Sequence, residues 1–333
     1  MNKLNKKRYW LLCLSGICLL WTMQAAALDM AFEVAAGYDD NVTRSHDASG
    51  SGFGAYKISL GQPFLSKIKW LDGDAFMDVS YQDYFRVSDN YQLKTGGLLA
   101  CSLADGRVLP SLMYEAKFYR DDEVEWDEMD EHRLEGQLEW LMSGRFTINI
   151  QQAWAWQSYC HPVEVQSCGR SSLTKPQCAM SQGGHAGGGN PSGHGNMTGK
   201  KQEIISRDDR LSQSGFRLTA YLSPNLEADV SLAHARLSSS VETESYRENS
   251  ISLSMRWFPD DSWKISAMTS WKDADYPGSP DRSDTGLALN LGVSCFINKY
   301  EIFVHAEWLD NDSSLDAESY RQVVTQCGVS LLF

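Results

Sequence analysis

The chain has 333 residues, of which 42% are hydrophobic and 22% are charged, and its formal net charge is -13. Its mean hydropathy of -0.37 excludes a polytopic helical membrane protein, since only one apolar run approaches the roughly 20 residues that a membrane-spanning helix needs. The acidic balance excludes nucleic acid as a partner, because phosphate would be repelled. A transmembrane β-barrel is compatible with this hydropathy, because its strands alternate apolar and polar residues.

Residues 1–27 have the pattern of a secretory signal peptide. A basic start is followed by an apolar run from Tyr9 to Met23 and by the small residues of Ala25-Ala26-Ala27. A membrane anchor is the alternative, but the apolar run is short for one. Cleavage would remove four positive charges and change the net charge from -13 to -17. We expect the mature chain to enter a compartment in which disulfides form.

Period-two alternation recurs from residue 28 to residue 333 and predicts antiparallel strands. The clearest case is Tyr300–Trp308, in which apolar side chains occupy every second position. Counting such runs predicts fourteen strands, each of about the length that crosses a tilted barrel wall. They lie near 30–38, 54–65, 74–87, 92–104, 107–120, 132–143, 145–158, 210–223, 226–238, 248–258, 262–273, 285–298, 300–309 and 320–333.

Short and long connections alternate between these strands. Short turns are predicted at 104–106, 143–144, 223–225, 259–261 and 298–299, and longer polar loops at 39–53, 121–131, 159–209, 239–247, 274–284 and 310–319. This arrangement predicts an all-β fold, a transmembrane up-and-down antiparallel β-barrel of about 14 strands over residues 28–333. Residues 159–209 form a long extracellular loop that contains Gly, Cys and His. A β-sandwich would split into domains of about 100 residues, and a solenoid would show a repeat of nearly fixed length.

The last strand ends in Val329-Ser-Leu-Leu-Phe333 and has one apolar face, formed by Phe333, Leu331, Val329, Cys327, Thr325 and Val323. This end resembles the C-terminal signature of Gram-negative outer-membrane β-barrel proteins, which the barrel assembly machinery reads. The resemblance implies an outer-membrane location and makes Phe333 part of the assembly signal. The opening Ala35–Val42 also resembles the first strand of uncharacterised β-barrel porins and of the barrel domain of surface lipoprotein assembly modifiers. That second family would carry a helical-repeat domain ahead of the barrel, for which this chain has no room.

If the apolar faces point outward, many charged side chains line the lumen. The predicted pore-lining residues are Lys57, Asp78, Lys94, Glu115, Lys117, Arg133, Glu135, Glu139, Arg145, Arg217, Glu227, Asp229, Arg256, Lys264, Glu301, His305, Glu307 and Arg321, with Glu33 and Lys272 on the same face. Acidic and basic members nearly balance, so we expect a lumen of weak charge preference. Isolated charges in a dry interior are costly, so we also expect water or a polar partner inside. Fourteen strands should leave a narrow pore, into which loop 159–209 could fold.

The loops give less specific signals. The run Asp121–Glu131 has eight carboxylates in eleven residues and could gather cations, although a solvated loop beside lipopolysaccharide is the favoured interpretation. Cys160, Cys168 and Cys178 match no zinc motif, so we predict a local disulfide and no metal or other cofactor. Cys101, Cys295 and Cys327 fall on outward faces and are predicted to pack as small apolar residues.

These patterns predict a porin-like channel for small polar solutes, embedded in outer-membrane lipid and lipopolysaccharide. Two alternatives fit the same wall. One is a barrel sheath around a multihaem cytochrome, and the other is an export barrel for a polysaccharide or a surface lipoprotein. His305 and Glu307 lie two residues apart on the inward face, but no Ser or Asp arrangement accompanies them. No catalytic residue is therefore predicted, and the protein is not expected to be an enzyme.

Overall fold

The computed structural model describes residues 28–44, 49–64, 70–87, 89–121, 127–161, 163–166 and 202–333. Its strands are β1 (Asp29–Asp39), β2 (Ser51–Pro63), β3 (Leu71–Tyr84), β4 (Asn90–Cys101), β5 (Val108–Asp121), β6 (Met129–Ser143), β7 (Phe146–Tyr159), β8 (Val163–Gln166), β9 (Gln202–Ile205), β10 (Asp208–Ser223), β11 (Leu226–Ser239), β12 (Tyr246–Trp257), β13 (Trp263–Asp275), β14 (Ser283–Ile297), β15 (Tyr300–Ser313) and β16 (Tyr320–Leu332). The predicted signal peptide, residues 1–27, lies outside the described residues.

Fourteen of these strands form one closed antiparallel barrel, in which each strand pairs with its neighbours in chain order. The barrel closes where β1 pairs with β16, with Phe32 opposite Leu331 and Val34 opposite Val329. Strands β8 and β9 pair only with each other, inside the predicted loop 159–209. The alternation of apolar and polar residues did not predict this small hairpin, but the predicted barrel and its strand number are confirmed.

The two faces of the wall differ in exposure, as the period-two alternation predicts. Phe53, Ser294 and Gln322 are at most 2% exposed and lie on the face that is turned to the lumen. Large apolar side chains such as Val304 and Leu253 are exposed on the opposite face. Because paired residues of antiparallel strands point to the same side, the register assigns every strand residue to one face.

Connections at one end of the barrel are tight. β14 and β15 are joined by Asn298 and Lys299 only, and Asn298 has a φ of 55°, a conformation that asparagine tolerates. The backbone N–H of Phe333 donates to the Met30 carbonyl at 2.9 Å, so the start of β1 and the end of β16 both lie at this short-turn side. The other end carries longer connections, two of which contain short 3-10 helices at Glu242–Glu244 and Asp316–Glu318.

Aromatic side chains border the apolar outer face at both ends. Trp257, Trp263 and Tyr300 lie near the short turns, whereas Trp271 and Trp308 lie near the long loops. Beyond Trp308, the next outward position on β15 is Asp310, so the apolar band ends there. Such aromatic girdles are typical of barrels that cross a membrane. No helix in the described part of the chain is long and apolar enough to span one.

Candidate functional site

The inner wall of the barrel is the candidate site, because it collects most of the predicted lumen residues. Cross-strand pairing puts all of them except two on the inner face, where Lys57, Asp78, Lys94, Glu115, Lys117, Arg133, Glu135, Glu139, Arg217, Glu227, Asp229, Arg256, Lys264, Glu301, His305 and Glu307 lie, together with Glu33 and Lys272. These side chains come from every part of the wall rather than from one segment.

Arg145 and Arg321 are placed elsewhere, and the expectation for both was wrong. Arg145 lies in the tight turn between β6 and β7, because these strands end at Ser143 and begin again at Phe146. Arg321 pairs with Asp310 on the outer face, and its side chain is 78% exposed. Both faces of β16 are polar near the start of the strand, so alternation alone could not show whether Arg321 points inward or outward.

The inner wall is more acidic than the sequence predicted. Further carboxylates share the inner face, namely Asp29, Asp39, Asp72, Asp74, Asp121, Glu131, Asp209, Glu248 and Asp284. No further lysine or arginine of the described strands joins them. Acidic side chains therefore outnumber basic ones on the lumen face, which corrects the expected balance.

Many of the inner charges form ion pairs within one strand, between neighbouring strands or between strands two apart. Arg133 contacts Glu135 at 2.7 Å, Lys264 contacts Glu301 at 3.3 Å, and Lys94 lies 3.9 Å from Glu115. Lys272 and Glu248 are 4.0 Å apart. Such pairing lowers the cost of placing charges along a wall that is only partly solvated.

Asp229 is a lumen carboxylate with three polar side-chain partners. It is 7% exposed and accepts hydrogen bonds from Thr219 Oγ1 at 2.6 Å and from Ser254 Oγ at 2.7 Å. The guanidinium of Arg256 reaches it at 3.2 Å and also contacts Glu227 at 3.1 Å. Thr219, Ser254 and Glu227 thus hold this carboxylate and its arginine in one geometry.

A lumen cavity of about 540 Å³ adjoins this network and is lined by strands β10 to β16. Its polar lining includes Arg217, Asp229, Ser231, Ser252, His305 and Gln326. Hydroxyl, amide and charged groups thus face the same space. This surface can donate and accept hydrogen bonds to water or to polar solutes.

His305 and Glu307 both line this cavity, as the sequence predicted for their side of the strand. The imidazole of His305 packs against the ring of Phe303, with 5.0 Å between the centroids. Within the described part of the chain, no hydrogen bond links His305 to Glu307 or to a serine hydroxyl. The two residues therefore act here as wall residues.

The loop end of the lumen is built from a duplicated segment that the sequence analysis missed. Residues 207–247 and 282–321 both begin with Arg-x-Asp and both end with Ser-Ser-(Val/Leu)-(Glu/Asp)-x-Glu-Ser-Tyr-Arg. Each copy comprises a strand pair, a 3-10 helix and the start of the next strand. The shared Arg-x-Asp and Glu-Ser-Tyr-Arg sequences could have revealed the repeat.

The two copies form matching contacts. Arg207 contacts Asp209 at 2.8 Å, and Arg282 contacts Asp284 at 2.9 Å. Equivalent serines cap both loops, since Ser240 Oγ accepts from the backbone N–H of Asp208 and Ser314 Oγ accepts from that of Ser283, each at 2.9 Å. The same residues in the same places therefore fold both loops by the same hydrogen bonds.

The copies meet around Glu244. Burial raises the pKa of the Glu244 carboxyl, and the nearby guanidinium groups of Arg207 and Arg282 partly oppose this shift. The ring of Tyr246, at the end of the first copy, packs 5.9 Å from that of Tyr276, just before the second. We call this group of loop-end residues (Arg207, Glu244, Tyr276, Arg282, Glu318) the mouth network.

The cysteines and Tyr119 lie at the following positions in the barrel. Cys101, Cys295 and Cys327 lie on the outer face, opposite Leu71, Ile302 and Val304 respectively, as predicted. Cys160 is exposed, whereas Cys168 and Cys178, its predicted disulfide partners, lie outside the described residues. Tyr119 faces the lumen and donates a hydrogen bond to Asp121 at 2.5 Å.

Comparison with known proteins supports the fold. No family model matches the sequence, and no curated protein matches it. Among solved structures, the chain is similar to a bacterial polysaccharide outer-membrane secretin, with a TM-score of 0.50 and 9% identity over 91% of this chain and 98% of that one. Outer-membrane-expressed OmpT of Vibrio cholerae gives a TM-score of 0.48 and 10% identity over 92% and 97%. An anion-selective porin from Comamonas acidovorans gives 0.43 and 8% over 92% and 99%.

These similarities concern the fold. The chain has a closed antiparallel barrel, which is the fold of the outer-membrane proteins to which it is similar. The identities are too low to transfer a solute or a cargo from any of these proteins.

Proposed function

We propose that the barrel is a porin-like channel that passes small polar solutes, and that it is not an enzyme. The observation that carries the proposal is the inner wall, which bears charged and hydroxyl side chains around a cavity of about 540 Å³. A wall of this kind replaces part of the hydration of a solute without closing around it. The side chains on it fit transport better than catalysis, because His305 has no hydrogen-bonded partner to activate among the described residues.

The excess of acidic side chains on the inner wall predicts that the channel prefers cations. Fixed carboxylates raise the local concentration of cations and lower that of anions. Cations should therefore pass more readily than anions of the same size. If the preference arose only from exposed loops, it would fade with salt, because the Debye length falls from about 10 Å at 0.1 M to about 3 Å at 1 M. Charges inside the lumen are screened less.

Conductance in a planar bilayer tests the proposal directly. Purified barrel should give steady ohmic steps, and the reversal potential across a salt gradient should show cation preference that persists at high salt. Absence of conductance from correctly folded protein would refute the channel. An anion preference would refute the assignment of the inner charges.

The two alternatives predict different companions for the same barrel. A sheath for a multihaem cytochrome should co-purify haem from the native membrane, and an export barrel should co-purify a polysaccharide or a lipoprotein. A channel that acts alone should co-purify neither haem nor an exported polysaccharide or lipoprotein. Purification from the native membrane under mild detergent therefore separates the three functions before any electrical measurement.

A further inference from the structure

Three arginines cluster on the outer face of the barrel, at the loop ends of β10, β11 and β12. Arg210, Arg236 and Arg247 are all exposed on outward positions, and Arg236 lies directly opposite Arg247 in the register. No side-chain hydrogen bond or ion pair of these three is formed within the described part of the chain. We call them the arginine patch.

Other outward arginines at the same end of the barrel behave differently. Arg120 pairs with Asp130 at 2.7 Å, and Arg321 pairs with Asp310 at 3.2 Å. Two carboxylates border the arginine patch, but neither neutralises it. Asp208 accepts a hydrogen bond from Ser158 at 2.8 Å, and Asp275 lies opposite Arg247 without forming an ion pair. The patch therefore presents cationic groups that the described residues leave without a counter-charge.

A second layer of polar groups lies below the patch, toward the middle of the wall. Gln152 Oε1 accepts a hydrogen bond from Ser214 Oγ at 2.5 Å, and the imidazole of His234 contacts Asn249 Oδ1 at 2.9 Å. These side chains point outward, and the same row continues into Asp273 on β13 and Gly136 on β6. Amide, hydroxyl and imidazole groups on this face suit a sugar headgroup rather than an acyl chain.

Apolar side chains form the third layer. Phe216, Leu232 and Ile251 follow on the same outward rows of β10, β11 and β12 and are exposed. Along each of these strands the order is thus arginine, then hydrogen-bonding groups, then apolar side chains. A cavity of about 230 Å³ opens beside the patch, bordered by Trp154, Trp156, Arg210 and Arg236.

This order matches one class of ligand. The loop end of an outer-membrane barrel faces the outer leaflet, where lipids carry phosphate on a sugar above the acyl chains. Arginine recognises phosphate by paired N–H donors, and tryptophan prefers the interface between headgroups and acyl chains. We propose that Arg210, Arg236, the neighbouring polar layer and Trp154 and Trp156 form a binding site for a phosphorylated glycolipid, namely the lipid A part of lipopolysaccharide.

Binding of defined lipids to the purified full barrel tests this site. The probes are lipid A with its phosphates, lipid A without them, phosphatidylglycerol vesicles and inorganic phosphate. The variant R210Q/R236Q/R247Q should bind phosphorylated lipid A on the order of 100-fold more weakly, since each of the three arginines near an anionic headgroup contributes about 1 kcal/mol and about 1.4 kcal/mol is a factor of ten. The control R120Q/R321Q removes two outward arginines that are already paired and should bind as the wild type does.

Four results would overturn the proposal. They are unchanged lipid A affinity in the triple variant, an equal loss in the control, equal binding of lipid A without phosphate, and equal binding of phosphatidylglycerol or inorganic phosphate. Faster electrophoretic migration of unheated protein shows that a variant barrel is folded. If the triple variant does not fold, R236Q alone must still weaken lipid A binding relative to the control.

Discussion

The guanidinium of Arg282 lies over the ring of Tyr276, with 3.9 Å between Cζ and the ring centroid. The same arginine contacts Asp284 at 2.9 Å and Glu318 at 3.5 Å. It thereby ties the loop before β14 to the loop before β16. Its equivalent in the first copy of the repeat, Arg207, lies 4.2 Å from the ring centroid of Tyr159. The mouth of the barrel is thus held by two similar clamps.

Replacement of Arg282 by glutamine should loosen both loops that it joins. The change leaves two partly buried carboxylates without their cation, at a cost of about 1–3 kcal/mol. Hydrogen exchange of residues 276–284 and 314–320 should become about tenfold faster or more. Arg321→Gln is the matched control, because its side chain is exposed on the outer face. Equal exchange in the two variants would contradict the clamp.

Mild acid should tighten the loop before β12, which carries Glu244. Burial raises the pKa of Glu244, so the closed loop binds a proton more readily than the open loop does. Lowering the pH toward the raised pKa therefore stabilises the closed form, and raising the pH destabilises it. Exchange of residues 239–247, corrected for its intrinsic pH dependence, should slow between about pH 7 and about pH 5. Glu244→Gln should exchange slowly at both values, and a pH response that survives this change would show that another group is responsible.

Asp229→Asn should affect both stability and selectivity. The change removes the charge that Arg256, Thr219 and Ser254 contact, and it should cost about 1–3 kcal/mol because these groups remain partly buried. Thermal unfolding should begin earlier, and the cation preference in a bilayer should fall. Asp310→Asn removes the same charge from the outer face and should leave the selectivity unchanged. A fall of the same size in both variants would argue that overall charge, not lumen charge, sets the preference.

The loop end of the barrel should face the outside of the cell. Glutamate-specific protease added to intact cells should cut in 121–131, and trypsin should cut in 159–209. Both segments connect strands at the end that also carries Glu242–Glu244 and Asp316–Glu318. Cutting that requires disrupted cells would reverse the topology. A periplasmic marker protein that stays intact shows that the envelope is closed.

Deletion of Phe333 should lower the amount of protein in the outer membrane. Its side chain is exposed at the short-turn end and continues the outward row that Val329 and Leu331 form on alternate residues. An aromatic end of this kind is what we expect the assembly machinery to read. Phe333→Tyr should retain most of the signal, whereas Phe333→Asp should not. Equal abundance of all variants would count against an assembly role.

The fold could be predicted because the alternation of apolar and polar residues persists through the membrane-spanning part of every strand. The prediction failed where the contrast between apolar and polar faces ends. Asp39, Asp121 and Asp209 lie one residue beyond predicted strand ends, and for that reason they were absent from the charge balance. Arg321 was misplaced because both faces of a strand are polar outside the membrane.

The site was harder to predict than the wall. Pairing of Arg133 with Glu135 depends on side-chain reach, and the cavity beside Asp229 depends on the register of seven strands. Alternation gives the face of a residue but not its neighbours. The mouth network, by contrast, could be recognised in the sequence, because Glu-Ser-Tyr-Arg occurs at 244–247 and again at 318–321. A search for short repeated motifs would have found it.

The outward thiols of Cys101, Cys295 and Cys327 have a consequence for the route by which the chain reaches its membrane. On β4, β14 and β16 they face lipid, where no oxidant or partner thiol reaches them once the barrel has closed. On the predicted export route, the unfolded chain would carry the same thiols through an oxidising compartment together with Cys160 before closure. Each wrong disulfide would join strands that must lie apart. Correct assembly therefore depends on insertion that outpaces oxidation, and cells with a stronger periplasmic oxidant should accumulate less of the folded barrel.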